Sequence, residues 1–311
     1  MYARKHLNIL ITGANGYLGK YLIESLLLDN KFNINVSTRE IKKNKIEKAF
    51  CNKIKVFSNN EYILNDSLLY DNIDILIHLA FSRRFRPNSE IAESLVFSKK
   101  IFEAAKRKKI KAIINVSTQG VYGNAVGLRD EKTVVAPEMI YSMAKYANEI
   151  ILDSIASNSN IKICHLRLDS IAGNQNLLPT LVKNAYEKEE IDIIGGKQIF
   201  SFLDVRDVAL AINMLLDIPI DDWQNIYNLG ANNTIYNIKE LAKIVAERME
   251  IRFNKNVKIN LKETETVTYA GIDSTLFMKD TGWQPKYNIY DIVDKIIDEY
   301  LENKNLLLIG E

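Results

Sequence analysis

Asn8-Ile-Leu-Ile-Thr-Gly-Ala-Asn-Gly-Tyr-Leu-Gly-Lys20 is the stretch that decides the fold. A short apolar strand, Ile9 to Ile11, runs into Gly13, Gly16 and Gly19, and a helical pattern follows from Lys20. Glycines there serve a tight turn, a backbone that approaches a phosphate, and a close helix–strand contact. The N–H groups at the start of the next helix, with its dipole, suit a pyrophosphate. A purely structural turn would use the same glycines, so a second signal is needed. Tyr141-Ser-Met-Ala-Lys145 supplies it, placing a phenol and an ammonium on one helix face. A phenol with a pKa of about 10 is a poor base near neutrality. An adjacent ammonium is expected to favour the phenolate and ease proton transfer.

Working outward, apolar runs at Leu7–Ile11, Phe32–Ser37, Ile54–Phe57, Ile73–Leu79, Ala112–Ser117 and Ile161–Leu168 predict six strands. Helical patterns at Lys20–Asp29, Ile91–Arg107 and Tyr141–Asn158 separate them. That alternation predicts an α/β fold, a Rossmann-type doubly wound parallel sheet covered on both faces. Ligands of such sheets bind at the carboxyl ends of the strands. The glycine turn, His78-Leu-Ala80 and Ser117-Thr118 all fall there. Beyond residue 170 the pattern changes. Helices are expected at Leu177–Glu189, Asp207–Leu216, Asn237–Glu247 and Ile289–Leu301, a strand at Ile191–Ile194, and short strands between Arg252 and Thr268. The expected division is a dinucleotide-binding domain over 1–170 and a smaller C-terminal α/β substrate lobe over 171–311, with some segments returning to the first domain.

Composition narrows the function. With 311 residues and 47% hydrophobic content, the chain can bury one or two cores. Its 41 Lys+Arg against 39 Asp+Glu leave a net charge of +2, no footprint for nucleic acid or a membrane surface. Lys106-Arg-Lys-Lys109 reads as a solvated helix end. Cys51 and Cys164 have neither metal-site nor disulfide spacing, and Cys164 reads as a small buried hydrophobe. No leader precedes the first strand, and no apolar run reaches the ~18–20 residues that span a bilayer. A cytoplasmic, metal-free enzyme is expected.

The chain resembles the extended short-chain dehydrogenase/reductase family, in its NAD(P)-dependent sugar-nucleotide epimerase/dehydratase branch. Besides the two motifs above, the likeness rests on Asp74-Ile-Leu-Ile-His-Leu-Ala80, Val116-Ser-Thr-Gln-Gly-Val-Tyr-Gly123, Glu131 with Pro137, Phe202-x-x-Val205-x-Asp207-Val-Ala209, Tyr227-Asn-Leu-Gly230 and Thr281-Gly-Trp-Gln-Pro285. The resemblance implies transient oxidation of a sugar hydroxyl. Tyr141 would take the hydroxyl proton, Lys145 would bind the nicotinamide ribose and lower the tyrosine pKa, and Thr118 would hydrogen-bond the same substrate oxygen. Cofactor contacts are implied at Gly13, Asn15, Gly16, Tyr17, Leu18, Gly19, Leu79, Ala80, Lys145 and Leu168. Ser117 is expected to face away, and His78 and His165 to be packed. A nucleotide sugar is the implied partner, and pairing into a homodimer is implied as well.

Several departures qualify that likeness. Related dehydratases carry an Asp-Glu pair where this chain has Gln119-Gly120, and neither residue can act as acid or base, so dehydration is disfavoured. NAD-specific members place an acid at the end of the second strand. Here Val36-Ser-Thr-Arg-Glu40 either offers Arg39 for a 2′-phosphate, which points to NADP, or has Glu40 beginning the next helix with Arg39 solvated; the epimerase reading points to tightly held NAD. Ser94 and Ser170 stand where the family has asparagines, and Phe200 where it has a diphosphate-gripping arginine. Arg83, Arg84 and Arg86 follow His78-Leu-Ala80 and serve either as phosphate contacts or as a solvated loop. Aligned from Asp273, the family's sugar-pocket position falls on Ala270, which leaves room for an acetamido group. A slip of one position would put Tyr269 there and fill that room instead. The resulting expectation is an NAD(P)-dependent 4-epimerase with UDP-N-acetylglucosamine favoured, or alternatively an NADPH-dependent 4-ketoreductase or dehydrogenase of an activated deoxysugar.

Overall fold

Strands that are apolar throughout must be covered on both faces, and the first half of the chain builds such a sheet. The computed structural model describes residues 6–29, 31–38, 50, 53–58, 72–173, 177–232, 235–265 and 267–309. Strands β1 (Leu7–Thr12), β2 (Phe32–Thr38), β3 (Ile54–Ser58), β4 (Ile75–His78), β5 (Ala112–Thr118) and β6 (Lys162–Leu168) lie parallel in the order β6-β5-β4-β1-β2-β3. Ile9 and Ile11 pack with α1 (Tyr17–Leu28) on one face. Leu10, pointing the other way, joins α2 (Asn88–Arg107) and α3 (Ile140–Ala156). Between β1 and β4 the strand order reverses, and a ligand crevice opens at their carboxyl ends.

The second half adds β7 (Ser170–Ile171), α4 (Leu177–Lys188), β8 (Glu190–Gly195), β9 (Ile199–Leu203), α5 (Val205–Asp217), β10 (Ile226–Leu229), β11 (Ile235–Asn237), α6 (Ile238–Phe253), β12 (Lys258–Glu263), α7 (Thr275–Thr281) and α8 (Ile289–Ile309). Strand β10 pairs in parallel with β6, and α5 packs on α1, so both extend the first sheet and its cover. The remaining helices α4, α6 and α8 share a second core around Val182, Leu241, Val245, Val293 and Ile297. A three-stranded sheet, β11-β9-β7, and a parallel pair, β12-β8, complete that part.

Several elements differ from the sequence reading. Helix α1 starts at Tyr17 rather than Lys20, because Gly16, extended at φ −73° and ψ 168°, caps it inside the glycine motif. Gly19 stays in that helix since a side chain there would overlap the Ala14 carbonyl. The segment from Arg252 begins as helix: buried Met249 carries the apolar face of α6 past Glu247, and the helix ends only at left-handed Asn254 (φ 54°). Of the strands expected up to Thr268, one forms, β12. Strands β9, β10 and β11, of five residues or fewer, were not expected from the sequence.

Two motifs distant in sequence prove to be one joint. The Asp207 carboxylate accepts the backbone N–H groups of Lys286 and Tyr287, both at 3.1 Å, and Trp283 Nε1 donates to the Asp207 carbonyl at 3.1 Å. Tyr227 donates to Asp280 at 2.8 Å, with Phe277 set edge-on to both Tyr227 and Trp283. The joint ties the loop before α8 to α5.

Candidate active site

The glycine turn closes against β4. Gly13 has φ +73°, and a Cβ there would lie 2.7 Å from the Ala80 nitrogen, so only glycine lets the β1 and β4 ends approach. Gly16 N–H donates to the Gly13 carbonyl at 2.8 Å, and no side chain caps the first turn of α1. Those N–H groups therefore face outward as an anion cradle. Gly13, Gly16, Tyr17, Leu18, Gly19, Leu79 and Leu168 all line one cavity of about 870 Å³. Asn15 stands beside it, holding Thr38 at the end of β2 (2.7 Å), and Ala80 backs the turn. This cradle fits a dinucleotide. Arg39, Glu40 and Cys51 lie outside the described residues.

Thr118, Tyr141 and Lys145 converge on the same cavity from the end of β5 and the first turns of α3. Thr118 Oγ1 accepts the Gly120 N–H at 3.2 Å and keeps its own O–H as a donor. The expected pull of Lys145 on Tyr141 is missing. Lys145 Nζ donates to the Val116 carbonyl at 2.6 Å and sits 4.4 Å from the centre of the Phe81 ring, which itself meets Tyr141 edge-on at 6.1 Å. Burial pushes the Tyr141 phenol up to about 12, opposed by the Arg84 guanidinium rather than by Lys145. Burial likewise lowers Lys145 to about 7, against the raising effect of Glu149. In both groups burial disfavours the charged form.

Beneath this set lies a buried charge pair. Arg167 donates to both Glu149 oxygens (3.2 and 2.7 Å) and to the Tyr122 hydroxyl (3.0 Å). Ser117 spends its hydroxyl on Glu149. His78 is held at Nδ1 by Thr12 and at Nε2 by Ser98, both at 2.8 Å, and His165 by Asn115 and Asp153.

On the substrate side, Arg83 and Arg84 line the cavity, with Arg83 stacked over Phe85 at 5.8 Å. Ser170, Phe200, Tyr269 and Ala270 line it too. Ser94 does not: it bonds the Glu90 carbonyl and the Ser82 N–H, tethering the loop that carries the arginines. Sequence reasoning missed a buried network here. Asp169 accepts from Gln119 Nε2, from Ser201 Oγ and from the Ser170 N–H (2.6 Å). Gln119 Oε1 in turn accepts from Arg129 (2.6 Å) and from the Gly271 N–H (3.0 Å). Burial raises the Asp169 carboxyl to about 6, partly offset by Ser201, Ser170 and Arg129. The signal was an acid directly before Ser170 at a strand end. Phe81 was also missed; it stands at the position after His78-Leu-Ala80. Among the described residues no group of His, Cys, Asp and Glu gathers to hold a metal ion, and no helix is long and apolar enough to cross a membrane.

With this geometry in view, the model of the NAD dependent epimerase/dehydratase family matches residues 9–230. The chain belongs to that family. A dTDP-4-dehydro-6-deoxyglucose reductase from Escherichia coli is 26% identical over 96% of this chain and 98% of its own length. Among solved structures of similar fold, a UDP-glucuronic acid 4-epimerase from Bacillus cereus has a TM-score of 0.80 at 21% identity, covering 94% of this chain and 99% of its own. A UDP-N-acetylglucosamine 4-epimerase from Bacillus cereus has a TM-score of 0.77 at 20% identity, covering 94% of this chain and 95% of its own. The cradle at Gly13–Gly19 suits the dinucleotide of this family, and the relatives include epimerases, dehydratases and reductases of nucleotide sugars.

Proposed function

We propose that the protein is an NAD(P)-dependent 4-epimerase of a nucleoside-diphosphate sugar, with UDP-N-acetylglucosamine as the favoured substrate. The observation that carries this reading is one cavity lined at once by the glycine cradle, by Thr118, Tyr141 and Lys145, and by Ala270. When bound, the nicotinamide supplies reversible hydride transfer. The chain's residues do the rest. Thr118 would hold the reacting hydroxyl, and Tyr141, whose phenol must first give up its own proton, would then take the hydroxyl proton and return it. Lys145 would hold the nicotinamide ribose. Arg83 and Ser170 contact the substrate, and Ala270 leaves space beside the sugar. Gln119, engaged with Asp169, Arg129 and Gly271, is neither an acid nor a base near neutrality.

The test is incubation with UDP-N-acetylglucosamine or UDP-glucose in the presence of NAD or NADP, with sugars resolved afterwards. Epimer formation without net cofactor reduction is expected. In Ala270→Tyr the kcat/KM ratio of N-acetyl to plain hexose should fall several-fold, since overfilling a pocket costs about 1–3 kcal/mol. An unchanged ratio would place Ala270 outside the sugar pocket.

The 4-ketoreductase reading keeps one argument of its own, the Escherichia coli reductase that matches along nearly the whole chain. Stoichiometric consumption of NADPH with a 4-keto sugar would establish it in place of the first. Arg39→Ala, compared with the unmodified protein for NAD and NADP binding, decides whether that arginine selects a 2′-phosphate.

A further inference from the structure

The cofactor turn is gripped from an unexpected quarter. Tyr17, first residue of α1, has its hydroxyl between two side chains of α8, some 280 residues away. It donates to the Glu299 carboxylate (3.2 and 3.3 Å) and accepts from Lys295 Nζ at 2.6 Å. Lys295 and Glu299 pair with each other one helical turn apart. Tyr21, one turn further along α1, donates to the same Glu299 at 3.0 Å and meets Tyr17 edge-to-face. The Lys295 ammonium lies 5.0 and 4.9 Å from the two ring centres. A third segment closes the group: at Gly173 (φ +83°), shortly after β7, any Cβ would overlap the Tyr17 hydroxyl.

We propose that Lys295 and Glu299 are positioning residues of the dinucleotide site, acting through Tyr17, so that cofactor binding and docking of α8 favour each other. This rests on the family's dinucleotide but not on any sugar chemistry. Tyr17 is the first helical residue after Gly16, so its backbone N–H belongs to the uncapped turn that faces the cavity. Fixing its side chain fixes that N–H. Beside this clasp, α8 is buried in the second core through Ile292, Val293, Ile296 and Ile297, so the clasp joins the two cores at the cradle itself. By linkage, whatever α8 adds to cofactor affinity, cofactor adds to α8 docking.

The test compares the unmodified protein with Tyr17→Phe, Lys295→Met and the double variant. The Kd for NADH and NADPH is read by fluorescence, and amide exchange over α8 is followed with and without the dinucleotide. Coupling predicts a Kd about fivefold or more weaker in each single variant. The double variant should be little worse than either single one, and dinucleotide-induced protection of α8 should be lost in Tyr17→Phe. A clasp with only a structural role would lower the melting temperature while leaving Kd and the induced protection unchanged, and that result would overturn the proposal. Failure of both dinucleotides to bind the unmodified protein would overturn it together with the cofactor assignment. Binding without any sugar turnover would count only against the epimerase reading.

Discussion

At the scale of single residues, Tyr141 is the test of the chemistry. Tyr141→Phe keeps the ring against Phe81 and removes only the proton carrier, so turnover should drop by about 10²–10⁴. Dinucleotide Kd should stay within a few fold, and near-normal turnover would remove Tyr141 from the mechanism. His78 makes a prediction about pH. Burial, aided by the Lys145 charge, lowers its pKa from 6.5 to about 3, so between those values the unfolded chain binds a proton that the folded one refuses. Stability should therefore fall as pH drops through that window, by up to about 1.4 kcal/mol per unit from this group. Urea titrations at pH 4, 5, 6 and 7 should show a shallower pH slope for His78→Gln. An identical slope would exclude His78 as a source of acid sensitivity. That histidine was legible as a packed residue from the apolar strand it ends. The position of Lys145 was not, because it depends on Phe81, a neighbour in space that no spacing rule brings to α3.

At the scale of elements, the turn between β1 and α1 was readable because backbone geometry selects the residue type. Gly13→Ala should strain a left-handed position and push on the Ala80 backbone, costing about 1–3 kcal/mol. Thermal unfolding should register the loss, and NADH titration should weaken in parallel. A variant as stable as the parent would mean that the β1 and β4 ends relax apart freely. Most of the parallel strands were legible from their concentration of apolar residues, Ile75–His78 and Ala112–Val116 most clearly. What escaped notice were pieces whose identity is set by partners. Strand β10 exists because β6 offers it an edge, and the Thr281–Pro285 motif acquires its meaning only where Asp207 meets Lys286 and Tyr287. The Asp169–Gln119–Arg129 network escaped because its members come from three separate segments, and the one local signal was the acid before Ser170.

At the scale of the molecule, the outer faces of α2 and α3 expose apolar side chains. Val96 is 56% exposed, Met143 49% and Ile150 50%, and an apolar hollow of about 340 Å³ lies among Ala92, Val96 and Phe97. Helices α2 and α3 pack side by side, so these residues share one broad surface. An isologous pairing of that surface in a two-fold dimer would cover it. Light scattering should give twice the chain mass at micromolar concentration, and the double substitution Met143→Glu, Ile150→Glu should return it to one chain with the fold intact by circular dichroism. A monomer in the unmodified protein would refute the pairing.

Gln119 and Gly120 have a consequence for how this site can change over generations. Water elimination would require carboxyls at these two positions. Shortening Gln119 to Asp would set one anion against Asp169 and release both Arg129 and the Gly271 backbone that shapes the wall beside Ala270. At Gly120, the first carbon of any side chain would overlap Ser142 of α3. The step at Gln119 is therefore the costly one, since it breaks bonds to three partners, whereas at Gly120 the near contact is the rotatable Ser142 hydroxyl.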